Sequence, residues 1–408
     1  MRLINIHTLV LEEFFEPPPY AILSHRWIGR EITYEQFIDP NQRHGLGYDK
    51  IASFCSLLQQ HPDYLPTNIV WAWVDTCCID KRSSAELTES INSMWQWYWK
   101  AEYCIAWLHD VHSGDETELQ ASEWFTRGWT LQEMIAPVEV YLFDSQWKPL
   151  GTRTSLSNEL SSASGVPAEF LKDKGRERIH WTSIAKRMSW ASKRKTTRPE
   201  DEAYCLFGLF DVNLPLLYGE GTYSFIRLQE EIIRRFDDES ILAWKSKPYV
   251  SYATGFLASS PARFELCGGV DQAHTDNKRK KFRVTNRGVE MKASLLRFGS
   301  HDVEDSTDSI SHTFFLEINC VDTPREKRSQ GLRCVLALIQ RNDGSFSRDT
   351  SGSTDKDTVV QEALMSGGFE RLPEATIYLR EDDYNHYYGG NFGSRNLATV
   401  PDSSWTVL

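Results

Sequence analysis

Three constellations in this sequence have residue types and spacings that could do chemistry. The first lies in the stretch RGWTLQEMIAP, residues 127 to 137, where Glu133 follows Trp129 by four positions. On a helix that spacing puts a carboxylate on the same face as an indole ring. Trp129, Met134 and Ile135 read as buried, and Pro137 ends the element. An acid in such a helix is either paired with a cation or kept for chemistry. The second constellation is Ser24, His25, Arg26 and Trp27. With Cys77 or Cys78, His25 could form a cysteine–histidine nucleophile, although adjacent cysteines after an apolar strand also read as packing. The third is Asp75 with Asp80, which could approach a cation or cap the next helix. No further clustered ligands accompany the two aspartates, so no metal is expected.

The elements that must position these residues follow from periodicity. Apolar runs at 20–25 (YAILSH), in 69–80 (IVWAWVDTCCID), at 102–108 (EYCIAWL) and at 138–144 (VEVYLFD) read as strands. Between them lie helical patterns. One spans 49–60, with Ile51, Phe54, Leu57 and Leu58 on one face. Another spans 83–100, opening with Ser83 and Glu86 at capping-box spacing. The helix around 127–137 is the third. Strands alternating with helices imply a parallel sheet, and ligands of such sheets bind at the carboxyl ends of the strands. Ser24 to Trp27 and Asp75 to Asp80 fall just past such ends. Trp95, Trp97 and Trp99 do not keep helical spacing. Part of that stripe is expected to point outward, toward another domain or subunit.

Residues 151–245 read as mostly helical. The basic run Lys186, Arg187, Lys193, Arg194, Lys195 and Arg198 reads as a solvated face, with an anionic partner as the sharper alternative. LYGEG (217–221) lacks phosphate-loop spacing and reads as a packing turn. Beyond residue 246, short strand-like runs separated by polar loops suggest a β-rich domain. The run NDGSFSRDTSGSTDKD is expected to be a mobile loop. The division is thus an α/β domain at 1–150, a helical extension at 151–245 and a β-rich domain at 246–408.

Composition narrows the class. A chain of 408 residues has room for more than one domain. A net charge of −12 disfavours nucleic acid and anionic membranes as partners. No apolar run reaches the length of a membrane span, and the N-terminus lacks a signal-peptide cleavage site. The eight cysteines are scattered, without a CxxC pair, which fits reduced thiols in the cytoplasm.

The blocks YAILSHRW, WAWVDTCCIDK, SMWQWYWKAEYCIAWL and WFTRGWTLQEMIAP resemble the fungal heterokaryon incompatibility (HET) domain. RMSWASKRKTTRPEDEAYCLFGLFDVNLPLLYGEG, FIRLQEEII and DDESILAW look like the segment that usually follows it. The resemblance covers roughly residues 1 to 300 and implies fungal non-self recognition and regulated cell death. HET domains are similar in arrangement to Toll/interleukin-1 receptor (TIR) domains, which implies a flavodoxin-like parallel sheet. Some TIR domains cleave NAD at the nicotinamide–ribose bond through a glutamate in a Trp-x-x-x-Glu pattern, which Trp129 to Glu133 match. On that resemblance Glu133 is the catalytic candidate. Ser24, His25, Arg26, Trp27, Asp75 and Trp129 are candidates for holding NAD or a related nucleotide, with Arg26 on the pyrophosphate and Asp75 on a ribose hydroxyl. NAD would be the substrate, with no separate cofactor. A homo-oligomer and an incompatibility partner protein are the expected associations. The segment DTCCIDKR departs from a typical TIR loop. The rival reading is a non-enzymatic, self-associating signalling module.

Overall fold

A computed structural model describes residues 1–60, 64–65, 69–172, 174–245, 255–273, 282–298, 313–323, 332–341, 343–348 and 369–380. The sequence YAILSH forms β3 (Tyr20–His25), which is buried along its whole length. A run with no polar alternation suits a strand covered on both faces. Around it a seven-stranded sheet is built in the order β2-β1-β4-β3-β5-β6-β7. The other strands are β1 (Arg2–Asn5), β2 (Leu11–Glu13), β4 (Trp71–Trp73), β5 (Tyr103–Trp107), β6 (Val140–Phe143) and β7 (Pro149–Thr152). Strands β4, β3, β5 and β6 are mutually parallel, with His25 opposite Trp107 at the ends of β3 and β5. Strands β1, β2 and β7 join antiparallel at the two edges.

From β3 the chain crosses one place to β4 and then returns past β3 to β5. Right-handed connections therefore put α1 (Leu46–Gln60) and α2 (Ser84–Lys100) on opposite faces. The gap above β3 and β5, where the winding reverses, is the crevice that such sheets offer to ligands. Ser83 caps α2 by accepting from the Glu86 N–H at 3.3 Å. The other half of the expected capping box is diverted, because the Glu86 carboxylate pairs with Arg2 and accepts from the Asp80 N–H instead.

The tryptophan stripe of α2 meets the helical extension at 151–245, the other domain of the two expected partners. Trp95 is buried, and Trp97 and Trp99 pack against the same core. Trp97 meets Trp73 edge-on, and Trp99 lies under the Arg176 guanidinium at 4.0 Å. Gly208 approaches Trp95 so closely that an added Cβ would lie 2.0 Å from the Trp95 Cβ. The helix is sandwiched between the sheet and the chain's own middle segment, so both sides of the stripe are used. That segment holds short helices, among them α4 (Ile184–Ala191) and α5 (Tyr223–Arg235). LYGEG is a packing turn: Glu200 accepts from the N–H groups of Gly219 and Gly221 at 2.8 and 3.1 Å.

The expected solvated basic face holds for Lys193, Lys195 and Arg198, which are exposed, and fails for the rest of the run. Arg187 is 3% exposed and donates to the Leu209 carbonyl, Lys186 pairs with Asp271, and Arg194 is buried. Described residues between 270 and 379 contribute a second, mostly antiparallel sheet, whose longest pair among them is Thr313–Asp322 with Leu332–Gln340. It is tied to the middle segment by Arg348, which donates to the carbonyls of Leu242 and Trp244. Of the polar run at 342–357, Phe346–Arg348 is a strand. Residue 342 and residues 349–357, where mobility was expected, lie outside the described residues.

Candidate functional site at the strand ends

Successive strand residues point to opposite faces, and this divides the expected constellation. Ser24 faces α2 and α3 (Thr130–Ile135), the helix that carries Glu133. The Trp124 indole N–H donates to Ser24 Oγ at 2.9 Å, and the Ser24 hydroxyl donates to Glu133 Oε2 at 2.5 Å. Tyr98 on α2 donates to the Leu23 carbonyl at 3.2 Å and also meets the Glu133 carboxyl. A phenol has one hydrogen. If Leu23 takes it, the proton in the Tyr98–Glu133 contact comes from Glu133.

Glu133 keeps some solvent exposure as a residue, while protein atoms crowd its carboxyl. Burial pushes that carboxyl up to about 8. The Asp75 charge adds to the effect, and Ser24, Arg194 and Tyr98 oppose it. Among the described residues no Lys or Arg forms an ion pair with it. The neutralising cation that would make Glu133 purely structural is thus not seen there.

The helix holding this acid is six residues long, too short to be stable alone. Both its ends are clamped by arginines. Arg153, 2% exposed, donates to the carbonyls of Met134, Ile135, Pro137 and Val138 at 2.6–3.1 Å. Arg176 adds a bond to the Ala136 carbonyl. These cations meet the orphan carbonyls of the helix C-terminus. At the other end Arg194 Nη1 donates to the Arg127 carbonyl and to Thr130 Oγ1 at 2.8 and 2.9 Å.

His25 faces α1. Its Nε2 lies 3.7 Å from Asp75 Oδ1, yet both ring nitrogens are buried without a hydrogen-bond partner among the described residues. Burial, reinforced by the Lys50 charge, pushes the imidazole down to about 3. It is neutral at pH 7, so its approach to Asp75 is not an ion pair. Lys50 is itself consumed by Glu31, at 2.6 Å. Asp75 begins the short helix Asp75–Cys78 and accepts from the Trp27 indole N–H at 3.0 Å. Burial works against its ionisation, but the Lys81 and Lys50 charges and that N–H outweigh it and hold Asp75 below the usual carboxylate range. Trp27 is 49% exposed, with the Lys81 ammonium 3.8 Å from its ring centroid. It offers one open aromatic face at the rim.

Two expected residues are engaged elsewhere. Arg26 is ion-paired with Glu123. The Trp129 indole is hydrogen-bonded to Asp201, so the indole that reaches the acid's network is that of Trp124. His109, Asp110 and Glu123 bring their ligand atoms within 4.8 Å of one another. Glu123 already holds the Arg26 guanidinium, and Asp110 caps the turn at Ser122 and Glu123. A cation there would face a guanidinium, and the set serves as an ion-pair and capping network. Cys77 and Cys78 are 0% and 3% exposed, and burial holds the Cys77 thiol far above its ordinary value, so neither is a nucleophile. Asp80 chelates Arg82. Tyr98 and Trp124 were missed by sequence reasoning. Tyr98 lies in the stripe of α2, where it reads as core, and Trp124 precedes the motif by five residues.

Comparison with known proteins places these observations. Residues 20–120 match the family described as heterokaryon incompatibility protein (HET), and residues 223–255 match a domain of unknown function, DUF8212. The chain is 43% identical over 227 residues to the vegetative incompatibility protein HET-E-1 of Podospora anserina. That match covers 53% of this chain and 16% of the relative. No solved structure matches. Ser24, His25, Arg26, Trp27 and Asp75 lie inside the HET match, while Trp124 and Glu133 lie just beyond its last matched residue. The chain therefore carries a heterokaryon incompatibility (HET) domain, and the glutamate that closes over its strand ends is supplied by the sequence that follows.

Proposed function

We propose that this protein is an effector of fungal non-self recognition whose N-terminal α/β unit is TIR-like and hydrolyses NAD at the nicotinamide–ribose bond through Glu133. The carrying observation is the Ser24–Glu133 hydrogen bond. It ties an acid without an ion-pair partner among the described residues to the end of β3, beside the point where the sheet winding reverses. Numbered along the chain, the four parallel strands run 2-1-3-4, which supports a flavodoxin-like arrangement.

Cleavage of an N-ribosyl bond passes through an oxocarbenium-like state. The C1′–N bond breaks with its electron pair moving to the ring nitrogen. Nicotinamide leaves neutral, and water adds to C1′ and sheds a proton. A fixed carboxylate stabilises the growing positive charge, most strongly in a dry site. Glu133 holds its proton at rest. A cationic nicotinamide riboside beside it favours the ionised form, so the substrate itself drives that proton off. Trp27 can stack on a planar base and Asp75 can accept a ribose hydroxyl. Arg26 grips a pyrophosphate only after Glu123 releases it.

The second reading, a self-associating signalling module without catalysis, draws on that same resting state, in which Glu133 is protonated and Arg26 is occupied. Self-association and an incompatibility partner belong to both readings. Cytoplasmic placement is supported by eight scattered cysteines without a CxxC pair; among the described residues no helix is long and apolar enough to cross a membrane. Incubation of purified protein with NAD, alone and at concentrations that drive self-association, tests the choice. Release of free nicotinamide supports the hydrolase, and intact NAD under both conditions leaves only the module.

A further inference from the structure

Arg194 was expected on a solvated face, yet it is 9% exposed and lies against the helix that carries Glu133. Its Nη1 bonds to the Arg127 carbonyl and Thr130 Oγ1, while Nε and Nη2 are buried with no hydrogen-bond partner among the described residues. The backbone around it is zipped to the same helix entrance. Gly128 N–H donates to the Lys195 carbonyl at 2.9 Å, and Lys195 N–H donates to the Thr126 carbonyl at 2.7 Å, forming a parallel bridge. Only glycine permits that approach, because a Cβ at Gly128 would lie 2.5 Å from Thr196 Cγ2 and 3.0 Å from Cys205 Sγ. A guanidinium buried without an ion-pair partner is costly, and the acidic groups that act on it are Cys205 and Glu133. Burial keeps the Cys205 thiol uncharged, which leaves Glu133 as the anion it can serve.

We propose that Arg194 is a positioning residue for Glu133: it latches the turn that opens the glutamate's helix and supplies the positive charge that receives the carboxylate when it ionises. This rests on the reading of Glu133 as the working acid. Among the described residues, the groups that act on the carboxyl by hydrogen bond or by charge include Ser24 from β3, Tyr98 from α2, Cys104 from β5, Asp75 from the other side of the sheet, and Arg194. Arg194 is the one positive charge among them, and it comes from the middle segment rather than from the HET match. The middle segment thereby completes the site, and a change in its packing would alter the proton affinity of the acid.

The test is a carbon-13 NMR titration of the glutamate carboxyl carbons in the ligand-free protein, with the Glu133 signal assigned by its loss in Glu133→Gln. Arg194→Met raises the Glu133 midpoint by about one pH unit. Arg194→Lys, which keeps the charge and loses the fork, stays near the wild-type midpoint. Should Arg194→Met not fold, Arg194→Gln, which keeps a donor toward Thr130, is read in the same way. A folded neutral variant whose Glu133 midpoint equals that of the wild type overturns the proposal, even if the variant is less stable. No nucleotide is present in this titration. A failed NAD assay therefore leaves its result standing, and its own failure leaves the NAD assay untouched.

Discussion

Replacing Glu133 with glutamine separates the protonation of this acid from every question of ligand. The side chain keeps its shape and becomes permanently neutral. In the wild type the carboxyl titrates at 4.5 when unfolded and at about 8 when folded. A raised folded value means that the stability it contributes is complete below pH 4.5 and is lost as the pH climbs through 8. Integrating the linkage from pH 5.5 to 8.5 gives a loss of about 3 kcal/mol as a ceiling, at 1.36 kcal/mol for each pH unit of difference. The residual exposure of Glu133 lowers this to about 2 kcal/mol. Glu133→Gln does not suffer that loss, so the variant gains on the wild type by that amount across the interval. Urea unfolding followed by tryptophan fluorescence reads it well, since ten of the fourteen tryptophans precede residue 150. Stability curves of the two proteins that stay parallel from pH 5.5 to 8.5 would refute the claim that the carboxyl is desolvated.

Three further outcomes follow from the same geometry. His25 has a folded value of about 3 against 6.5 unfolded, so the stability it contributes is present above pH 6.5 and is lost as the pH falls toward 3. His25→Asn flattens the acid limb of the stability profile, and an unchanged limb in urea melts counts against a buried neutral imidazole. Gly128→Ala forces a methyl into Thr196 and Cys205 and destabilises by about 1–3 kcal/mol; a midpoint within error of the wild type speaks against the backbone bridge. Arg153→Met strands the carbonyls that end α3 and costs on the order of 3 kcal/mol, with hydrogen exchange quickening around residues 130–136. Undisturbed exchange there removes Arg153 from its capping role.

The parts of this fold legible in the sequence were those written in periodicity. YAILSH is apolar at every position that a doubly covered strand buries, and the structure places β3 on those six residues. The stripe from Leu87 to Tyr98 likewise marks α2. The pair Trp129 and Glu133 was visible as spacing, and the acid does sit at a strand end. What spacing leaves open is which way a strand residue faces. Ser24 and His25 are neighbours in sequence and belong to opposite sides of the sheet, one with Glu133 and the other with Asp75. The tryptophans of α2 were legible as a face turned toward another domain, though not which one. Their outward members are covered by the middle segment, and a helix buried on two sides has no single apolar face. Arg153 and Arg194 were illegible because most of what they bind is backbone carbonyl, which every residue carries and no motif records. The edge strands β1 and β2 lie in a short N-terminal stretch where acidic residues break the apolar run, and they gain their order from pairing with β4.

The central claim is that Glu133 is a working carboxyl at the strand ends, and the rate of nicotinamide release from NAD as a function of pH tests it most directly. Wild-type protein should release nicotinamide at a rate that climbs as the pH rises through about 8, while Glu133→Gln, folded and at least as stable, should release none above background. Equal release by the two proteins, or a wild-type rate that falls as the pH rises toward 8, would contradict it.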